Sequence, residues 1–290
     1  MQTTRKIILF SLMIAMVLSF SDCTKKNKVK HHDKTRLVQT TQILREVDSS
    51  CRALMLNQQM LMGVAYQQRS GEMRALAYQA FNIAKVMLDK DLSDKSVNQH
   101  RTVVVDIDET VLDNSPFQAK CVLENAKYPA FWSEWCKAAQ AKAIPGALDF
   151  LNYAKANGVD VYYVTNRNND VKEATLKNLN DVGFPYADEK HLMMSTGESS
   201  KESRREQILQ HNHIALLIGD NLNDFAQVFE KKSSGERMNL ADKMQEEFGR
   251  RFIVLPNAMY GDWEGALYDY NYAQPDSVKI DLRLRSLKGF

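Results

Sequence analysis

Apolar runs that end abruptly in polar clusters recur along the chain, and their spacing predicts alternating strands and helices. The sharpest is Val103-Val104-Val105, which runs straight into Asp106-Ile107-Asp108-Glu109-Thr110. The run is too short and too β-branched to favour a helix, and it predicts a buried strand ending at Val105 or Asp106. Further strands are predicted over residues 159–164, 191–194, 214–218 and 251–255, each followed by polar residues. Helical patterns fall over 147–157, over 170–182 (stopped by Gly183 and Pro185) and over 198–210, a charged stretch containing Lys201. Upstream, residues 42–91 are helical in period, with a break at Ser70-Gly71. Their Met-rich stripe predicts core packing. Strands alternating with helices predict an α/β fold with a mostly parallel sheet.

The first residues follow a different pattern. Arg5-Lys6 precede an almost unbroken apolar run over 7–20, which closes at Phe20-Ser21-Asp22-Cys23. The run is short for a membrane span and has the form of a secretory signal. It resembles a bacterial lipoprotein signal, in which Cys23 becomes the lipidated first residue, although Asp22 stands where a small residue is usual. Residues 24–37, rich in Lys and His, predict a solvated tether. The folded domain is expected over 38–290.

Net charge is +2, so the overall balance offers no basis for binding a nucleic-acid polymer. The charged fraction of 26% is that of an ordinary globular protein. The six histidines show no metal-ligand spacing.

The candidate chemistry lies at the predicted strand ends. Asp106 with Asp108, then Thr165, then Asp220 with Asp224 all follow apolar runs, and ligands in open α/β sheets bind at the carboxyl ends of strands. Neighbouring carboxylates repel and need a shared proton, a cation or a metal; Mg²⁺ takes oxygen ligands of this kind. Several carboxylates, one hydroxyl and one lysine make up the inventory of a phosphoryl-transfer site. Lys201 has a second reading, as a solvated lysine on a charged helix.

Four segments carry a resemblance to a known family. Val105-Asp106-Ile107-Asp108-Glu109-Thr110-Val111-Leu112-Asp113-Asn114-Ser115, Tyr163-Val164-Thr165-Asn166-Arg167, the single Lys201, and Gly219-Asp220-Asn221-Leu222-Asn223-Asp224-Phe225 match, in order, the motifs of the haloacid-dehalogenase superfamily of phosphatases. The segment Leu255 to Gly265 resembles one peculiar to the class C acid phosphatases of the lipoprotein e(P4) family. Asn223 departs from the family, where an acid is common. The resemblance implies a Rossmann-like core with a small helical cap, built from about 38–98 and 114–145. It implies that Asp106 is the nucleophile and Asp108 the acid and base. Mg²⁺ would be held by Asp106, the Asp108 carbonyl and Asp220, with Asp224 in support. Thr165, Asn166 and Lys201 would bind the phosphate.

The implied substrates are small phosphomonoesters, chiefly 5′-nucleotides and nicotinamide mononucleotide, with Trp132 and Tyr260 stacking on the base. Composition alone favours a core role for the aromatic cluster of Tyr128, Phe131, Trp132 and Trp135. The rival readings are a sugar-phosphate or phosphoprotein phosphatase, and a non-catalytic surface binding protein. The expected location is the bacterial cell envelope, lipid-anchored at the outer membrane or cell surface. A homodimer is left open. With Cys23 lipidated, Cys51, Cys121 and Cys136 remain, and in an oxidising compartment Cys121 with Cys136 would close the shortest loop.

Overall fold

The computed structural model describes residues 58–290, together with Gln39 and Gln42. The chain divides into two units, Met1–Ser49 and Ser50–Phe290. In the first the described residues are Gln39 and Gln42, both helical; the account below concerns the second. The expected export signal and tether, Cys23, Cys51 and most of the helical pattern before residue 58 lie outside the described residues.

Val103, Val104 and Val105 form the buried end of β1 (His100–Val105), the middle strand of a five-stranded sheet. With β2 (Leu112–Asp113) and β3 (Lys142–Ala143) set aside as a separate antiparallel pair, the sheet adds β4 (Asp160–Asn168), β5 (Leu192–Ser195), β6 (Asn212–Gly219) and β7 (Phe252–Val254). Its order is β5-β4-β1-β6-β7, and every pairing is parallel. Strand residues alternate between two cores. Val103 and Val105 join Phe81, Phe150, Leu151 and Leu179 on one face. Val104 joins Val164, Ile208, Phe225 and Phe252 on the other. This two-sided burial explains the unbroken apolar run, and each such side chain contributes about 1.5–3 kcal/mol.

Helix α1 runs over 58–69 and α2 over Gly71–Ser93. Ser70 separates them as a cap, its hydroxyl accepting from the Met73 amide at 2.9 Å. Met73, Ala77, Ala80, Phe81, Ala84 and Leu88 form the buried stripe of α2. α2 packs on β6 and β7, and on a helix over Ala147–Ala156. It therefore lies against the sheet. α1 instead rests on the loop after β7: a Cβ on Gly63 would lie 2.6 Å from the Ala258 carbonyl oxygen.

The insert after β1 is closed at its base by the β2–β3 pair and carries α3 (Ser115–Leu123) and α4 (Trp132–Ala138). Ser115-Pro116 opens α3, since proline suits a first helical turn. Then follow α5 (Ala147–Ala156), α6 (Lys172–Val182) and α7 (Glu202–Leu209). The predicted helix over 198–210 thus begins late, and Lys201 is the residue just before it.

The chain winds from β1 to β4 and β5 on one side, then returns to β6 and β7 on the other. The reversal falls between β1 and β6, the position at which doubly wound sheets open a crevice for ligands. Asp106 and Asp220 are the residues that leave these two strands.

Candidate active site

Asp106 continues the ladder past β1, its amide donating to the Ile218 carbonyl at 2.9 Å. Its side chain meets Lys201, whose ammonium donates to Asp106 Oδ1 and lies 2.7 Å from Asp224 Oδ1. Thr110 Oγ1 lies 3.1 Å from Asp106 Oδ2 and 3.4 Å from Asp220 Oδ1. Asp220 Oδ2 accepts from Asn257 Nδ2 at 2.8 Å. Asp224 Oδ2 accepts from the Asn221 amide at 3.0 Å. Oxygens of Asp106, Asp220 and Asp224 all lie within 4.8 Å of one another.

The electrostatics of this group are unbalanced. Burial, with Asp224 and Asp108 nearby, pushes the Asp106 carboxyl up to about 7 despite Lys201. Burial, with Asp224 and Asp106 nearby, holds Asp220 well above the usual carboxylate range. Burial opposes the Lys201 charge, but Asp106 and Asp224 outweigh it and push the ammonium up to about 12. One cation faces three carboxylates. An all-oxygen donor set with surplus negative charge fits a hard divalent cation.

Asp108 stands apart from this group. After β1 the chain turns sharply: the amides of Thr110, Val111 and Leu112 all converge on the Ile107 carbonyl, and Glu109 adopts φ 61°. The turn delivers Asp108 to Arg167. Asp108 Oδ1 accepts from Arg167 Nη2 at 2.7 Å and Nε at 3.0 Å, and from Asn114 Nδ2 at 2.7 Å. Asn114 Oδ1 in turn accepts from Trp135 Nε1 at 2.7 Å. Arg167 is buried, donates to Thr175 Oγ1 at 3.1 Å, and lies 5.4 Å from the centre of the Trp132 ring.

A model of the HAD superfamily, subfamily IIIB (Acid phosphatase), matches residues 19–263. The chain belongs to this acid phosphatase family. Two solved structures of the class C acid phosphatase from Bacillus anthracis, one a crystal structure with tungstate bound, are each 44% identical to it, with a TM-score of 0.79. They cover 82% and 81% of this chain and 99% of their own. Among curated proteins, the stem 31 kDa and 28 kDa glycoproteins of Glycine max are 26% and 27% identical over 58% and 45% of this chain. The match spans 62% and 55% of their lengths, less than two thirds of either.

In this member of the HAD acid phosphatases, Thr165 is fully buried in the carboxyl-terminal half of β4, its hydroxyl accepting from the Arg167 amide at 3.1 Å. Asn166 is exposed, and both ends of its amide are taken: Nδ2 donates to the Ser199 carbonyl at 2.9 Å, and Oδ1 accepts from Arg204 at 2.7 Å. Trp132 is half-buried, edge-on to Phe117 at 5.0 Å, so it combines core packing with an open surface. The Tyr260 hydroxyl donates to the Glu109 carboxyl, which burial and the neighbouring Asp108 and Asp220 hold well above its usual range.

Lys201 is 5% exposed and paired with two carboxylates, which removes its reading as a solvated helix lysine. Cys121 and Cys136, whose pairing the sequence left open, are both free buried thiols. They sit on separate helices of the insert, where each is packed as a small apolar side chain. Arg167, Asn114, Glu109, Asn257 and the pair Arg204-Arg205 took no role from the sequence alone. Arg167, Asn114 and Asn257 share one legible signal: like Asp106, they are polar residues in the segment that follows a strand's buried part.

Proposed function

We propose that this HAD acid phosphatase is a Mg²⁺-dependent phosphomonoesterase acting on 5′-nucleotides, nicotinamide mononucleotide included, through an aspartyl-phosphate. The observation that carries the reading is the Lys201 ammonium on Asp106, beside Asp220 and Asp224 at the sheet's switch point. An Asp106 oxygen attacks phosphorus as the bond to the leaving oxygen breaks, and Asp108 gives that oxygen its proton. Arg167 and Asn114 orient Asp108 and stabilise the carboxylate left behind. In the second step Asp108 takes a proton from water, whose oxygen attacks phosphorus and releases Asp106. Lys201, Thr165 and the Asn166 backbone amide offset the charge spread over the phosphoryl oxygens.

Asp106, Asp220 and the Asp108 carbonyl would hold Mg²⁺, with Asp224 beside them. Bound there, the ion supplies positive charge that lets a phosphate dianion approach the carboxylates. The tungstate of a solved relative is a tetrahedral oxyanion, which supports a phosphate-binding reading.

The preference for nucleotides rests on Trp132 and Tyr260. Trp132 packs beside Arg167, and Tyr260 is tied to Glu109, so both rings are joined to immediate partners or neighbours of Asp108. The nucleoside whose 5′-oxygen Asp108 protonates would carry its flat base toward them, where it would stack. Arg5 to Cys23 supports export and lipid attachment at the bacterial envelope. Among the described residues no helix is long and apolar enough to cross a membrane.

The decisive experiment is turnover of a 5′-nucleotide and of glycerol phosphate, with chelator and with added Mg²⁺. Chelator should abolish both activities and Mg²⁺ restore them, with the nucleotide the better substrate by kcat/KM. Full activity in metal-free protein, or equal kcat/KM for the two esters, would overturn the reading.

A further inference from the structure

Helix α7 carries two consecutive buried arginines, Arg204 and Arg205, in its first turn after Lys201, and they reach opposite walls of the site. Neighbours on a helix point about 100° apart, so adjacent side chains serve different partners. Arg204 Nη1 donates to the Thr165 carbonyl at 2.6 Å, and Nη2 to Asn166 Oδ1 at 2.7 Å and the Ser200 carbonyl at 2.9 Å. Arg205 Nη1 donates to the Asp224 carbonyl at 2.8 Å and the Asn223 carbonyl at 3.2 Å, while Nη2 pairs with Glu202 at 2.5 Å. Both side chains are more than nine-tenths buried, at 7% and 3% exposure.

We propose that Arg204 and Arg205 are positioning residues that divide the site, Arg204 setting its phosphate side and Arg205 its cation side. The division rests on the function proposed above. A trans peptide directs its C=O and N–H in opposite senses. By fixing the Thr165 carbonyl, Arg204 therefore fixes the direction of the Asn166 amide, and through Ser200 it fixes the approach to Lys201. Arg205 fixes the two peptides around Asp224, whose carboxylate meets Lys201 on one oxygen and the Asn221 amide on the other. A guanidinium suits both tasks because its planar fork satisfies several carbonyls at once. Neither arginine reaches the carboxylate cluster itself with a hydrogen bond, so each acts through another residue.

The test uses the full chain with Arg204→Met, Arg204→Lys, Arg205→Met and Arg205→Lys. The readouts are the inhibition constant of inorganic phosphate at saturating Mg²⁺ and the half-saturating Mg²⁺ concentration. Arg204→Met should weaken phosphate inhibition roughly tenfold and leave the Mg²⁺ requirement within about twofold, the scale seen when a supporting partner of a site is removed. Arg205→Met should raise the Mg²⁺ requirement roughly tenfold and spare phosphate inhibition. Each Lys variant should move the same constant as its Met counterpart, by less, because one ammonium replaces part of the fork. If a Met variant does not fold, its Lys variant carries the same comparison. Equal movement of both constants in both variants, or no movement in either, overturns the division. Failure of the underlying reading would show separately, as an unsubstituted protein indifferent to chelator.

Discussion

Gly219 and Asp224 are in direct contact across the loop that follows β6: a Cβ on Gly219 would lie 2.7 Å from Asp224 Cγ and closer still to its carboxylate oxygen. Asp224 folds back onto the strand end because its carboxylate caps the Asn221 amide at 3.0 Å. The same fold-back carries its other oxygen to Lys201. The glycine is required by this close approach. Gly219→Ala should displace Asp224 and with it Lys201, lowering kcat by roughly 10²-fold, the order found when one site electrostatic partner is lost. A crystal structure of the variant with Asp224 unmoved, or wild-type kcat, would contradict this.

Lys201 neutralises two of three neighbouring buried carboxylates. Lys201→Met should leave Asp106 and Asp224 unpaired and destabilise the fold by about 3–5 kcal/mol, as removal of one member of a buried ion pair does. Thermal melts should show the loss, and added Mg²⁺ should recover part of it by replacing the missing charge. A variant as stable as the parent in chelator would mean that the pair carries no such balance.

The two aspartates of the first motif should separate by leaving group. Asp106→Asn removes the nucleophile, and turnover should vanish for every ester. Asp108→Asn removes the proton donor, so a nitrophenyl ester, whose leaving group needs no proton, should suffer far less than an alkyl ester. Arg167→Met, which frees Asp108 from its clamp, should shift the leaving-group dependence in the same direction. Equal losses across leaving groups in Asp108→Asn would reassign the acid.

Trp132 offers a test of substrate class. Its ring is half-buried, so Trp132→Phe should preserve both the packing on Phe117 and a stacking face. Trp132→Ala should lower kcat/KM for 5′-nucleotides roughly tenfold, a loss of ~1.4 kcal/mol, while sparing a small alkyl phosphate. A parallel loss on both esters would identify the ring as structural.

The local pattern of the chain determined the strands, their polar carboxyl ends, and most helices, because burial on both faces forces an unbroken apolar run wherever a central parallel strand lies. Asp106, Thr165, Asp220 and Asp224 were legible for that reason: a polar residue at or just beyond the end of such a run lies near the rim of the sheet. The motifs that these residues share with a known family made their order specific. Tertiary structure alone decided which rims meet. The β1–β6 adjacency that joins Asp106 to Asp220 depends on a chain reversal that no local pattern encodes. It also decided the state of the polar helix α7. Lys201, Arg204 and Arg205 belong to a segment whose pattern is simply charged, yet all three are buried, because carboxylates and carbonyls from the ends of β1 and β4 and the loop after β6 converge on them. A hydrophobic pattern records the faces that exclude water through apolar contact. It carries no mark for charges that leave water because distant parts of the chain supply their partners.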